Sequence, residues 1–377
     1  MFKKSIFLFL LLICFGSIKS QITNFKEKFT LPNNVNETSG LLFFDGKIIT
    51  HNDSGGEPNL YEIDSLTGSL LRTIAINNAS NIDWEAITED ETHIYIGDIG
   101  NNSGNRQDLC IYKILKTDYE KNTTVDAEKI SFSYEDQTDF TSKPNNTNFD
   151  AEAIIFHENA LLIFSKNWIN FQTNVYKIPT SIGSYSATKV SSANIGGLIT
   201  DATIHNNNIM LCGYDTSAIP FLIYISNERN SGDAVFNANF EKYSLINELE
   251  QGSQIEGITS FGNGRYYISR EAVNNSFVTL DQKLFEFSDA RTQSLSIQKI
   301  GESKFTCYPN PVVDKITLNS DQKIILISFF DILGRVVLDK KNPDKTRKPG
   351  FCKVSGFITE AKAPVKKATP NLGNIRS

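Results

Sequence analysis

The chain has 377 residues and a formal net charge of −6, and 40% of its residues are hydrophobic and 11% aromatic. An acidic chain of this kind lacks the basic surface of a nucleic-acid-binding protein, so we expect no nucleic-acid partner. The apolar content is sufficient for a large core. Its five cysteines have neither the pattern of a disulfide framework nor the spacing of a zinc site.

The first residues have the pattern of a secretory signal peptide. Two lysines precede the apolar run 6–15, and small residues follow at 16, 17 and 20. We predict a signal peptide over residues 1–20, with cleavage before Gln21. The apolar run is shorter than a stable membrane span, so we expect no span in the mature chain and a secreted, extracellular or cell-surface location.

Residues 23–301 contain an internal repeat. Five short apolar strands each open on an acidic residue, and a polar or charged residue follows 13 or 14 positions later, where a second strand ends. The acids are Glu37, Glu85, Glu152, Asp201 and Glu256. Their partners are His51, Asp98, Lys166, Tyr214 and Arg270. Repeats of four short strands, at spacings of 48 to 67 residues, predict an all-β propeller.

The number of blades is open at this stage. Five repeat units predict five blades, and one further strand at 25–31 precedes the first unit. This strand could close the ring by pairing with the last blade, or it could be the remainder of a sixth blade. The prediction is therefore a five- to six-bladed β-propeller.

The repeated acids predict a ligand site. The first strand of each propeller blade lines the central channel, so the five acids and their partners should surround one axial mouth. Crowded carboxylates resist ionising together, and a cation relieves their repulsion. Oxygen-rich loops at 51–56 and 97–102 follow two of the second strands and add Asp53 to the predicted ligand-binding residues. Oxygen ligands of this kind suit calcium.

The predicted metal ligands are Glu85, Asp98, Glu152 and Glu256. A structural role for the repeated acids is the alternative. In that case each acid accepts backbone N–H bonds from the neighbouring blade and locks the ring together.

Motifs in the repeat region resemble bacterial secreted propellers of the phytase-like or esterase-like group. They are the runs at 52–55, 60–64, 83–87 and 97–102, together with Glu256-Gly257-Ile258. The resemblance spans roughly residues 33 to 300. It implies carboxylate-bound calcium that holds a phosphate, with the four predicted metal ligands as candidates by position. The run of basic residues with which such phytases hold several phosphates is not evident.

Two runs near the C terminus resemble the sorting domain of the type IX secretion system of Bacteroidetes. They are the Tyr-Pro-Asn-Pro run at 308–311 and the segment 327–337 with its Gly-Arg pair. The resemblance implies a small, incomplete β-sandwich over 305–338, recognised by the type IX secretion machinery. Residues 339–377 lack the expected further strand and hold ten basic residues, three acidic residues and four prolines. We predict a disordered basic tail there.

Three functions remain open from the sequence. The first is a secreted, monomeric binding module whose axial mouth holds a cation or polar ligand. The second is a calcium-assisted hydrolase of phosphate or carboxylic esters, because a metal-assisted hydrolase is the enzyme class that the acids would support. The third is a non-catalytic interaction scaffold. No serine, cysteine or zinc hydrolase motif appears.

Overall fold

The computed structural model describes residues 21–226, 235–237, 240–276 and 278–291, and five short strands between 306 and 355. The predicted signal peptide lies outside the described residues. The chain divides into two compact units, Met1–Ser294 and Leu295–Ser377. No helix among the described residues has the length and apolarity needed to cross a membrane.

The first unit begins with a strand that belongs to the last blade, β1 (Ile22–Thr30). Blade 1 consists of β2 (Thr38–Phe44), β3 (Lys47–Asn52), β4 (Asn59–Asp64) and β5 (Leu70–Ile76). Blade 2 consists of β6 (Trp84–Glu89), β7 (His93–Asp98), β8 (Cys110–Leu115) and, after the short β9 (Thr124–Val125), β10 (Glu128–Tyr134). The helix α1 (Lys116–Lys121) follows β8.

Blade 3 consists of β11 (Ala151–His157), β12 (Ala160–Ser165), β13 (Gln172–Pro179) and β14 (Gly183–Asn194). Blade 4 consists of β15 (Leu198–His205), β16 (Asn208–Tyr214), β17 (Pro220–Ile225) and β18 (Phe240–Ser244). Blade 5 contains β19 (Ile255–Gly262), β20 (Arg265–Arg270) and, after the small hairpin β21 (Val273–Asn274) and β22 (Thr279–Leu280), β23 (Lys283–Asp289). Short 3-10 turns occur at Asn33–Val35 and Val235–Asn237.

Five blades close the ring. The innermost strands β2, β6, β11, β15 and β19 contact one another in that order, and β19 contacts β2 again. The N-terminal strand β1 pairs antiparallel with β23, from Ile22 opposite Asp289 to Thr30 opposite Lys283. It is therefore the fourth strand of blade 5 and not the remainder of a sixth blade, and the described residues of the first unit form a five-bladed propeller. This pairing covers a sheet edge that would otherwise be open.

Two further pairings join neighbouring blades at their outer edges. Strand β10 of blade 2 runs parallel to β14 of blade 3, with Ile130 opposite Gly183, which makes one eight-stranded sheet of the two blades. The short strand β9 runs parallel to β5 of blade 1. Both pairings provide hydrogen-bond partners for backbone N–H and C=O groups that the outermost strand of a blade would otherwise leave unpaired.

The core lies between the blades. Five clusters of buried apolar side chains fill the five gaps between adjacent blades. In the gap between blades 1 and 2, Trp84 is fully buried and its indole Nε1 donates to the carbonyl of Ser80 at 3.0 Å. Alternation of apolar residues along each strand places one set of side chains in each gap.

The second unit contains strands in the region that the sequence assigned to a sorting domain. Its three-stranded antiparallel sheet consists of β24 (Thr306–Tyr308), β25 (Lys315–Asn319) and β28 (Phe351–Ser355), and its hairpin of β26 (Leu326–Phe330) and β27 (Val336–Lys341).

Two strands reach into the segment 339–377, for which the sequence predicted a disordered tail. Strand β27 continues to Lys341, and Phe351–Ser355 pairs with β25. The predicted tail is rich in basic residues and proline as a whole, but Phe351, Cys352 and Val354 form a local strand-favouring run that this average conceals. Residues 342–350 and 356–377 lie outside the described residues.

Candidate cation-binding site

Each innermost strand has a register shift typical of a β-bulge near its start. In blade 2, for example, Trp84 pairs with Asp98 and Ala86 with Gly97, so Glu85 is the extra residue. The five extra residues are Gly40, Glu85, Glu152, Thr200 and Glu256. A bulge re-aims the extra side chain. The three glutamates among these residues line one cavity.

This cavity has a volume of about 200 Å³ and a strongly acidic wall. Its acidic residues are Asp53, Glu85, Glu152, Glu256 and Glu271, and its basic residue is Lys166. The remaining wall consists of Ser39, Asn102, Asn145, Trp168, Tyr214 and Gln254. Side chains from all five blades therefore meet in one cavity.

Three carboxylates converge at the part of the wall formed by blades 1 and 2, where Asp53 and Glu85 line the cavity and Asp83 lies next to them. One carboxylate oxygen each from Asp53, Asp83 and Glu85 lies within 4.8 Å of the other two. Calcium is bound by protein oxygens at about 2.3–2.6 Å, so oxygens with this separation can share one ion. Burial raises the pKa of Asp83 to about 7, and the neighbouring carboxylates of Asp53 and Asp150 add to the shift.

Gly100 permits this convergence. A Cβ atom at this position would lie 2.3 Å from Asp83 Oδ2 and 2.5 Å from Glu85 Oε1. The main chain at Gly100 also donates its N–H to the carbonyl of Asp83 at 3.1 Å. Any other residue at position 100 would displace both carboxylates from these positions.

Backbone bonds hold the Asp53 loop in place. The amide Nδ2 of Asn81 donates to the carbonyls of Asn52 and Asp53, at 3.0 and 2.6 Å. The N–H of Asp53 donates to the carbonyl of Glu37 at 2.9 Å. The Asp53 carboxylate is therefore presented by a loop that is tied to two neighbouring segments.

Asp98, a predicted metal ligand, has a different role. It is 1% exposed, and its Oδ1 accepts hydrogen bonds from Arg106 Nη2 at 2.8 Å and from the N–H of Asp83 at 3.2 Å. Arg106 also donates from Nη1 to the carbonyl of Gly100 at 2.8 Å. Asp98 is thus charge-paired and positions Asp83, and it does not line the cavity. The sequence predicted Asp98 as a metal ligand next to Glu85, but the carboxylates that converge with Glu85 are those of Asp53 and Asp83.

Blades 3 and 4 form an ammonium-binding wall around Lys166. Its Nζ lies 2.9 Å from Glu152 Oε1, 5.2 Å from the ring centre of Trp168 and 5.6 Å from that of Tyr214. The Trp168 indole is fixed because Nε1 donates to Asp150 Oδ2 at 2.7 Å. A carboxylate and two aromatic faces are a favourable environment for a desolvated ammonium.

The cavity is too buried for all of its acidic groups to be ionised together. Burial, with repulsion between neighbouring carboxylates, raises the pKa of Glu85 and Glu152 well above the ordinary range. Burial raises the pKa of Glu256 to about 7 and that of Glu271 to about 8. Lys166 opposes these shifts but is a single positive charge. A bound cation would allow more of the carboxylates to ionise at neutral pH.

Asp201, another of the repeated acids, is structural. It is fully buried, and its Oδ2 accepts the backbone N–H groups of Ile258 at 2.7 Å and Leu41 at 3.3 Å. It thereby ties blade 4 to blades 5 and 1. In the part of the chain that the structure describes, Glu85, Glu152 and Glu256 accept no such backbone bond. The structural alternative raised by the sequence therefore applies to Asp201, and these three glutamates lack the backbone bonds that it requires.

The other predicted site residues divide between the cavity and its surroundings. Tyr214 lines the cavity. Glu37 is exposed, because Gly40 and not Glu37 is the extra residue of β2. His51 is fully buried against the edge of Trp84, outside the cavity wall, and burial lowers its pKa to about 4. It is therefore neutral at physiological pH.

Arg270 lies away from the acidic cavity. Its Nη1 donates to Glu250 Oε2 at 2.9 Å, and Nε and Nη2 donate to the carbonyl of Asp281 at 3.1 and 3.0 Å. Together with Lys283 it lines a second cavity of about 350 Å³. Its predicted place at the axial mouth is wrong, because the side chain turns toward the outer part of blade 5.

Several site residues were missed by the sequence reasoning. They are Asp83, Asp150, Trp168, Gln254 and Glu271. A recurring local pattern could have found three of them, since an acid or amide precedes each bulge glutamate by two residues, in Asp83-Trp84-Glu85, Asp150-Ala151-Glu152 and Gln254-Ile255-Glu256. Trp168 and Glu271 carry no comparable sequence signal.

Comparisons with solved structures return propeller-like folds at low similarity. The PQQ-bound aldose sugar dehydrogenase of Streptomyces coelicolor is 10% identical, with a TM-score of 0.41, over 70% of this chain and 97% of that chain. The putative oxidoreductase (glucose dehydrogenase) of Thermus thermophilus is 9% identical, with a TM-score of 0.39, over 71% and 99%. Similarity at this level carries no information on ligand or reaction. No curated protein matches the sequence.

The C-terminal region has an identifiable family. Residues 306–350 match the secretion system C-terminal sorting domain, a match that extends past Leu338. This domain marks the chain for handling by the type IX secretion machinery, with delivery to the cell surface or the extracellular space.

Proposed function

We propose that this protein is a secreted binding module that holds a divalent cation, calcium in particular, in the acidic cavity of its propeller. The observation that carries the proposal is the convergence of Asp53, Asp83 and Glu85 within 4.8 Å. Among the described residues, none of the three forms an ion pair with a basic side chain. Like charges that are close, partly or fully buried and unpaired favour a bound cation.

The ligand set suits calcium and leaves room for a second ligand. Calcium takes about six to eight oxygen ligands, and three carboxylates supply only part of this number. Water or an oxygen-bearing ligand in the cavity would complete the coordination. Such an open site is expected of a module that binds its partner through the ion.

Binding makes fewer demands on the cavity than hydrolysis does. A metal-assisted hydrolase needs a group that accepts the proton of the attacking water or donates one to the leaving group. His51, the acid or base candidate from the sequence, is fully buried and outside the cavity wall, so the carboxyl groups of Glu256 and Glu271 are the candidates that the cavity offers for this role. We rank the calcium-dependent binding module above the calcium-assisted hydrolase because ion binding needs the three converging carboxylates alone, whereas hydrolysis also needs one of these groups beside the attacking water.

The test is a thermal melt of the propeller in calcium and in chelator. A ligand that binds the native state alone adds about 2.7 kcal/mol of stability at a hundredfold excess over Kd. Calcium should raise the Tm of the wild type by several degrees, and Glu85→Gln should abolish this rise because it removes one of three converging charges.

The matched control is Glu62→Gln. Glu62 is also buried but does not line the cavity, and Arg72 and Tyr119 each lie 2.9 Å from its Oε2. This variant should melt lower yet keep the full calcium shift. An unchanged Tm in the wild type, or an equal shift in Glu85→Gln, would overturn the proposal. Calcium-dependent turnover of a phosphoester and ester panel would instead identify a hydrolase.

A further inference from the structure

We infer that the wall of the cavity formed by blades 3, 4 and 5 recognises a primary ammonium group on a small amine ligand. The inference rests on the proposed function in that the same cavity takes the ligand. It concerns other residues than the calcium triad, however, namely Glu152, Trp168, Tyr214, Glu256 and Glu271. The two ideas can therefore fail independently.

The chain itself provides the first argument. The Lys166 ammonium already sits in this wall, 2.9 Å from Glu152 Oε1 and within 5.6 Å of the ring centres of Trp168 and Tyr214. Although both Lys166 and Glu152 are nearly inaccessible to solvent, the wall provides a desolvated ammonium with charge and aromatic contacts. It is thus built for this chemical group.

The second argument is the negative charge that remains. Glu256 and Glu271 line the same cavity, and Glu256 is only 6% exposed. Neither forms an ion pair within the described ranges, and Lys166 is occupied by Glu152. A single internal ammonium cannot balance three carboxylates. A second ammonium, brought by a ligand, would complement them.

The aromatic faces of this wall favour an amine over a second metal ion. Among the described residues, the group whose carboxylate oxygens converge within 4.8 Å is Asp53, Asp83 and Glu85. Glu152, Glu256 and Glu271 therefore do not present three oxygens to one small hard ion. An ammonium needs one carboxylate when aromatic faces supply further contacts, which is the arrangement around Lys166. Gln254 adds an amide to the same wall.

The probes for a test are n-butylamine, which equals the lysine side chain beyond Cα, and 1-butanol, its neutral counterpart. Binding is measured by calorimetry and by tryptophan fluorescence, once in chelator and once in calcium. Trp84 is fully buried between blades, so Trp168 is the expected reporter, and Trp168→Phe should remove the signal. We expect saturable binding of butylamine and none of butanol.

Variants separate the two parts of the cavity. Glu256→Gln and Glu271→Gln should each weaken butylamine binding at least about tenfold, whereas Glu85→Gln should keep it and lose the calcium shift. Lys166→Ala should lower the Tm, and butylamine, but not butanol, should restore it by refilling the place beside Glu152. Circular dichroism checks that each variant is folded.

The outcomes distinguish the inference from the proposed function. Equal responses to butylamine and butanol, or unchanged amine affinity in both Gln variants, would overturn the ammonium site even if calcium binds. Amine binding without any calcium shift would overturn the calcium site and leave the ammonium site standing.

Discussion

Replacing Glu256 by Gln should stabilise the calcium-free propeller at pH 8 and leave it nearly unchanged at pH 4.5. The carboxyl group is almost fully buried in the acidic cavity, and burial raises its pKa from 4.5 to about 7. Gln keeps the shape of the side chain and cannot ionise. The variant therefore removes the electrostatic penalty without opening a void.

The sign follows from the direction of the pKa shift. Below pH 4.5, the pKa in the unfolded chain, Glu256 is protonated in both the folded and the unfolded state, so the folded state has no penalty from a buried charge. As the pH rises from about 4.5 to about 7, the unfolded chain ionises first and stability falls; above this range it levels off. Each pKa unit corresponds to about 1.36 kcal/mol, so the wild type should lose roughly 3 kcal/mol between pH 4.5 and pH 8 through this group.

The assay is urea unfolding followed by tryptophan fluorescence at pH 4.5, 6 and 8 in chelator, since both tryptophans lie in the propeller. Glu62→Gln provides a control of opposite sign. Burial tends to raise the pKa of Glu62, but hydrogen bonds from Arg72 and Tyr119 lower it overall. Its replacement should therefore cost most stability at pH 8. Identical wild-type and Glu256→Gln stabilities at pH 8 would refute the electrostatic reasoning.

Two further substitutions test the scaffold around the cavity. Asp201→Ala should lower the free energy of unfolding by about 2–4 kcal/mol, because the N–H groups of Leu41 and Ile258 lose their acceptor; urea unfolding measures this, and a loss below about 0.5 kcal/mol would contradict the structural role. Arg106→Met should cost about 3–5 kcal/mol by leaving Asp98 buried without its partner. It should also weaken the calcium-induced Tm shift through Asp83, and an intact shift would show that Asp98 does not position the site.

The fold was largely predictable from the sequence because the repeat is local. Each blade is a meander of short strands joined by turns, and its apolar pattern needs no distant partner to be recognised. The number of blades was not predictable in the same way. It depends on β1 pairing with β23, so that Ile22 meets Asp289 at the far end of the propeller sequence, and nothing in either strand specifies its partner.

The site was predictable only where the bulges fall in register. Glu85, Glu152 and Glu256 occupy equivalent bulge positions, and counting along the chain found all three. The count failed in blade 1, where the equivalent residue is Gly40, whose φ of 66° disfavours other residues. It failed by one residue in blade 4, where the equivalent is Thr200 and Asp201 is the next residue. A bulge adds one residue to a strand, and no residue type in these strands identifies its position. Counting residues along a strand therefore does not establish which way a side chain points.

The five equivalent bulge positions show which residues the ring needs. Thr200 donates its hydroxyl to the carbonyl of Ile255 and so links blade 4 to blade 5, and Gly40 fits a tight space in which a Cβ would lie 3.0 Å from the N–H nitrogen of Ile87. Neither position requires a charge. Glutamates at the other three positions are buried and carry raised pKa values, which is destabilising for the empty protein. Buried charged groups that lower the stability of a fold are expected at sites where a bound ligand restores that stability. For these three glutamates, a positively charged ligand would have this effect.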